Sequence, residues 1–184
     1  TPSEWNVRDR QNFSRYYPKR LNAEVLFDSV HELLGVEAVF EGQAPGARAV
    51  ALPDNSYNTS NYFLTVFGRP DSSSACECER TQEASLAQSL HLLNAKDIQN
   101  DLTSAKGRAA LLAADGRPDD DKLTELYHIA FSREPTADEL KFGLSHLDTK
   151  TKGQTGVSLG KARQEAYEDI LWALMNTKEF LFNH

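Results

Sequence analysis

The sequence predicts a mainly α fold: a compact helical domain with an irregular, loop-rich insertion and at most a short strand pair. Three observations carry this. Apolar residues recur at helical spacing through most of the chain, as in Ala23, Leu26, Phe27, Val30, Leu33 and Leu34. Residues that start and stop helices bracket these stripes, among them Gly35 and the pair Thr136/Glu139. Between residues 36 and 80 the helical period gives way to Gly, Pro, Ser and other polar residues.

Residues 1–20 read as an irregular arm in which Trp5, Phe13, Tyr16 and Tyr17 alternate with basic residues, and the aromatics are expected to tuck onto the body. Pro18 blocks helix continuation. Asn22 is a suitable N-cap for the first helix, with Leu21 and Leu26 placed as a hydrophobic staple and Gly35 as its stop. Within 36–80, Ala47 to Leu52 reads as a brief strand. Tyr62, Phe63, Val66 and Phe67 read as a short helix capped near Ser60 and stopped by Gly68 and Pro70. Thr81 opens a helix with the stripe Leu86, Leu90, Leu93, closed at Asn94. Ile98 and Leu102 mark a further turn or two, and Ala109 to Ala114 a short apolar helix ended by Gly116 and Pro118.

Asp119, Asp120 and Asp121 place negative charge at the next helix N-terminus, where the dipole favours it; they are expected to stay solvated. Leu123, Leu126, Tyr127, Ala130 and Phe131 form that helix's buried face. Leu140, Leu144 and Leu147 follow the Thr136/Glu139 capping box. Residues 148–160, rich in Lys, Thr and Gly, read as a mobile connection. The last helix starts near Lys161 and buries Ala166, Ile170, Leu171, Trp172 and Leu174. No internal repeat is present.

With 184 residues, 40% hydrophobic and 26% charged, the chain suits one soluble domain with a real core. A net charge of −7 argues against nucleic acid or an anionic membrane as the main partner. No apolar run approaches the roughly 18 residues of a membrane-spanning helix, and no signal peptide is visible. Opening on Thr1-Pro2 and not on a methionine, the chain is expected to be an excised piece of something longer.

The densest chemistry lies between Phe67 and Arg80, where Arg69, Cys76, Glu77, Cys78, Glu79 and Arg80 crowd one loop. On an extended segment Cys76 and Cys78 share a face with Cα atoms about 6.5–7 Å apart. That is the upper limit for a disulfide, so a bridge needs a tightened turn. As thiolates they could instead supply two ligands of a soft-metal site completed by His91, Asp54 or a residue elsewhere. A bridge or structural thiols, without metal, is the leading reading. Glu77, like Asp54 and His91, is a candidate for acid–base work, but Arg69 and Arg80 beside Glu77 and Glu79 favour a structural polar cluster. His91, next to the Leu86/Leu90 stripe, reads first as a hydrogen-bonded packing residue. There is no Cys-x-x-Cys-His for a c-type haem and no Gly-rich phosphate loop, so no cofactor is expected on this chain.

Several segments, in order along almost the whole chain, resemble one family. They are Phe13 to Leu21, Leu52-Pro53-Asp54, Phe67-Gly68-Arg69-Pro70, Cys76 to Arg80, Ser89 to Asn94, Ser132 to Thr136, and Asp169 to Leu174 leading to Lys178–His184. Together they are similar to the C-terminal part of the planctomycete, cytochrome-c-associated domain of unknown function numbered fifteen-fifty-three. Ala95 departs from the glycine expected after Leu-Leu-Asn. The resemblance implies a large exported, multidomain parent, an extracytoplasmic home that favours the Cys76–Cys78 bridge, and haem only on a separate domain. It implies no activity.

Three functional classes follow. The first is a non-catalytic interaction or scaffold domain that docks to other domains of its parent. The second is a hydrolytic or metal-dependent enzyme using Asp54, Glu77 and His91. The third is a redox partner of an attached cytochrome using Cys76 and Cys78. The first is favoured, because the helices carry ordinary core stripes and the one polar cluster holds charges that satisfy each other.

Overall fold

The structure, a computed structural model, describes residues 3–9, 12, 14, 18–53, 61–70, 88 and 95–183. Among these it is mainly helical. The order is β1 (Lys19–Arg20), α1 (Ala23–Leu34), a 3-10 turn (Ala49–Ala51), α2 (Tyr62–Val66), α3 (Lys96–Leu102), α4 (Arg108–Ala114), α5 (Asp119–Phe131), α6 (Ala137–Thr151), α7 (Gly156–Met175), α8 (Lys178–Leu181) and β2 (Phe182–Asn183). No helix among the described residues is long and apolar enough to cross a membrane.

Two helices organise the core. The stripe on α1 is buried throughout, with Leu26 and Leu33 fully covered, and α1 packs on the 3-10 turn, α2, α3, α4, α5 and α7. The longest helix, α7, packs on α1, α3, α4, α5, α6 and α8, and buries Ala166, Tyr167, Leu171, Leu174 and Met175. Ile170 and Trp172, expected inside, are half-buried; Tyr167 and Met175 take the deeper positions.

The end of α1 shows how local and tertiary signals combine. Gly35 closes the helix at φ +66°, a conformation that suits glycine. The orphan carbonyls of the last turn are then taken by Arg108, whose Nε donates to Leu33 O and Nη2 to Glu32 O, each at 2.8 Å. At the start of α1, Asn22 occupies the N-cap position, but its side chain bonds no helix N–H; the helix is opened by Leu26 N–H donating to Asn22 O.

Three expectations are corrected, and a fourth is refined. Ala47 to Leu52 is no strand. The buried carboxylate of Asp28 accepts the N–H of Ala49 (2.6 Å) and Val50 (3.3 Å), which winds these residues into a 3-10 turn. The cap of α2, expected near Ser60, is the neighbouring Asn61, its side chain accepting from Leu64 N–H. Residues 148–160 are mostly helical. Thr149 and Thr151 bond back to the carbonyls of Ser145 and Leu147, which accommodates them in α6, and α7 begins at Gly156, so only 152–155 connect the two. Trp5, finally, does not tuck onto the body: it is 95% exposed.

The end of the arm is nonetheless tied down. Lys19–Arg20 pairs antiparallel with Phe182–Asn183, Arg20 opposite Phe182, and Leu21 N–H donates to Leu181 O. The helix expected over Leu86, Leu90 and Leu93 lies outside the described residues except for Gln88, whose side chain donates to Val66 O.

Candidate functional site

Of the residues singled out in the sequence, Asp54, Cys76, Glu77, Cys78, Glu79, Arg80 and His91 lie outside the described residues. Arg69 is described. Gly68, at φ +82°, turns the chain after α2, and Arg69 N–H donates back to Leu64 O. This sends the Arg69 side chain inward, where its Nε lies 3.4 Å from Glu24 Oε1 in the first turn of α1, both residues buried. Arg20 reaches the same turn from β1: Nη2 donates to Phe67 O at 2.8 Å, and the guanidinium sits over the Phe67 ring. Burial lowers the Arg20 pKa. Glu24 and Arg20 thus join Arg69, and neither was marked by spacing, because they stand 45 and 49 positions before it.

A second cluster centres on Asp119. Tyr167 Oη donates to its Oδ1 at 2.8 Å, Lys122 Nζ lies 3.2 Å from the same oxygen, and Arg163 Nη2 donates to it as well. Lys122 is fully buried and donates also to Asp115 O at 2.7 Å. Burial alone would raise the Asp119 pKa; the bonds from Tyr167 and Lys122 and the charges of Arg163 and Lys122 outweigh it and hold the carboxyl below its usual range. Burial, then the bond to Asp119, pushes the Tyr167 hydroxyl up. The expectation that Asp119 stays solvated is therefore corrected: it anchors α5 to α7, while Asp120 and Asp121 remain exposed.

A third cluster is a guanidinium clamp. Arg133 makes paired bonds to Glu139 (2.8 and 2.9 Å) and to Glu179 (2.6 and 2.8 Å), joining the α5–α6 turn to α8. Glu139 also completes the capping box with Thr136, as the sequence predicts. The bonds from Arg133, with those of Thr136, hold the Glu139 carboxyl at about 2.

Between α5, α6 and α7 lies a cleft of about 330 Å³. Its walls are mainly apolar, from Leu123, Phe142, Ile170, Ala173 and Leu174. Gly143 lets α6 approach α5: a Cβ there would stand 2.8 Å from Leu123 Cδ1. Tyr127, Glu139, His146 and Asp169 bring polar groups to the lining; His146 Nε2 donates to Asp169 Oδ2 at 3.0 Å, and Lys150, outside the lining, binds the same oxygen at 2.7 Å. Phe142 is 76% exposed. Apolar walls with a few placed polar groups are the usual make-up of a small-ligand site. Among the described residues no group of three His, Cys, Asp or Glu is arranged to hold a metal ion.

At the N-terminus a turn over residues 4–8 is held by hydrogen bonds within it and to the neighbouring Ser14. Val7 N–H donates to Ser3 O (2.9 Å), Ser3 N–H to Asn6 Oδ1 (2.6 Å), and Ser14 Oγ to Asp9 Oδ2. This ordered turn presents Trp5 and the half-exposed Val7 to solvent.

Fold and sites among the described residues define a helical domain knitted by ion-pair clusters, with an apolar cleft and a displayed indole. The family profile described as PSD1, protein of unknown function (DUF1553), matches residues 3–147, and the chain belongs to that family. No curated protein and no solved structure matches the chain.

Proposed function

We propose that this chain is a non-catalytic interaction domain of a larger exported protein, docking to other domains of its parent through the N-terminal turn. The observation that carries the reading is Trp5, 95% exposed on a hydrogen-bonded turn. An indole left in water forgoes roughly 1.5–3 kcal/mol that burial would supply, so a pre-ordered turn displaying one is a natural anchor for a partner. The Asp119 and Arg133 clusters support it: their carboxylates are engaged by cations of the same chain and serve to join helices. The exported parent, and haem on a neighbouring domain of it, rest on the family resemblance.

Co-expression of the chain with the rest of its parent polypeptide is expected to give a stable complex. Trp5→Ala is expected to weaken it about 10- to 150-fold. A complex indifferent to Trp5→Ala would remove the turn as the anchor. Turnover of a glycan, ester or peptide by this chain alone, abolished by Glu77→Gln or His91→Ala, would replace the docking reading with an enzymatic one.

A further inference from the structure

We infer that His31 and Asp101 form a proton-operated latch between α1 and α3, closed while the pair holds an extra proton and loosened when that proton leaves. Two contacts of one imidazole carry this. His31 Nδ1 lies 2.9 Å from Phe27 O, one turn back on α1. A carbonyl has no proton to give, so Nδ1 carries one and donates it. The other nitrogen, Nε2, lies 3.5 Å from Asp101 Oδ2 on α3. With Nδ1 already protonated, a neutral ring turns the Nε2 lone pair toward a carboxylate, acceptor against acceptor. Only a second proton, held between Nε2 and Oδ2, makes that contact attractive.

The ring is held in this pose. It packs against the Phe27 ring with centroids 4.0 Å apart, and turning away would forfeit that contact together with the bond to Phe27 O. The surroundings favour the proton. Among the described residues, the charged groups lining the two cavities beside the imidazole are Asp28 and Glu32 from α1, Glu37 from the segment after it, Arg48 at the start of the 3-10 turn, Asp97 and Asp101 from α3, and Arg108 from α4. Arg48 is drawn to Asp28, and Arg108 to the carbonyls of Glu32 and Leu33, so the balance about the ring is acidic. His31 also stands in the last turn of α1, where the helix dipole favours a cation. Burial raises the Asp101 pKa; the charge of His31 opposes this and that of Asp97 adds to it. Ile98 and Leu102 stay buried in either state, so losing the proton loosens α3 without unfolding the domain. α3 follows residues 71–94, the stretch that holds both cysteines, and its hold on α1 fixes where that stretch ends.

The latch is present below the range in which a histidine titrates and is lost as pH rises through it. The test is a double-mutant cycle on the whole chain, by urea denaturation at about pH 5.5 and about pH 8.5, which bracket that range. His31→Asn keeps a donor for Phe27 O and lacks Nε2; Asp101→Asn removes the charge. Coupling between the two positions is expected to change the unfolding equilibrium constant about two- to fivefold at the lower pH, and to vanish or reverse at the higher. Nitrogen NMR of the wild-type imidazole at the higher pH is expected to show the proton on Nδ1 and none on Nε2. Equal coupling at both pH values, no coupling at the lower one, or a proton on Nε2 at the higher pH overturns the inference. Should a variant fail to fold, the wild-type tautomer decides it, with the exchange protection of the Asp101 and Leu102 amides, which is expected to fall about two- to fivefold from the lower pH to the higher after correction for intrinsic rates; unchanged protection counts against the latch.

Discussion

Replacing Asp119 with alanine removes an acceptor shared by three donors, and the donors fare differently. Arg163 is about a quarter exposed, so water reaches it once the carboxylate is gone. Tyr167 and Lys122 are fully buried. Lys122 would keep the carbonyl of Asp115, but its ammonium would stand in the interior without a counter-charge. Breaking a buried pair by removing one partner costs roughly 3–5 kcal/mol, and partial exposure of Asp119 itself puts this case near about 3 kcal/mol. Loss of an acidic side chain from the first turn of α5 adds a few tenths of a kcal/mol. For a domain of this size about 3 kcal/mol is a fall in Tm of roughly 6–12 °C. Urea denaturation followed by far-UV circular dichroism is the assay, with the slope m expected unchanged. The decisive companion is Asp119→Ala with Lys122→Met, which removes the stranded charge along with its partner. That double variant is expected to recover most of the loss. A single-variant effect below about 1 kcal/mol, or a double variant no more stable than the single, would refute the assignment of Asp119 as the counter-charge of a buried lysine.

Glu139 carries a pH dependence whose sign is determinate. Its folded pKa of about 2 lies below that of an unfolded glutamate, so the Arg133 clamp is fully present above about pH 4.3 and is lost as pH falls toward 2. Tm should decline over that window in the wild type, and decline less in Glu139→Gln; equal slopes in the two proteins would count against the clamp. Cys76 and Cys78 are expected to be joined to each other or to be metal-free thiols. Non-reducing mass spectrometry with metal analysis checks this, and one tightly bound zinc per chain would sink it.

The parts of this fold legible in the sequence are those whose signal is local. The α1 stripe alternates with the helical period because one face of that helix meets the core, and the period survives in the order of residues. Gly35 and the Thr136/Glu139 box are equally readable, since a left-handed residue and a reciprocal cap involve atoms a few positions apart. Where a local pattern met a distant partner, the partner decided. Ala47 to Leu52 has strand-like composition, yet Asp28, about twenty positions earlier, captures its N–H donors. Lys122 sits in a charged run that reads as solvated, yet it is buried because the Asp119 carboxylate and the Asp115 carbonyl converge on its ammonium.

The sites follow the same division. Arg69 stood out by Glu77, Glu79 and Arg80, which lie outside the described residues; that its described partner is Glu24 depended on α2 folding back on α1. The cleft leaves no sequence signature, because His146 and Asp169 belong to different helices and meet only when α6 packs on α7. Sequence by itself determined the helical class, the α1 core stripe and the family, because periodicity, capping and motif order are properties of neighbouring residues. Which charges are buried, what pairs with Arg133, and where an apolar cleft opens were decided by tertiary structure, because desolvation and ion pairing depend on distances that chain order does not contain.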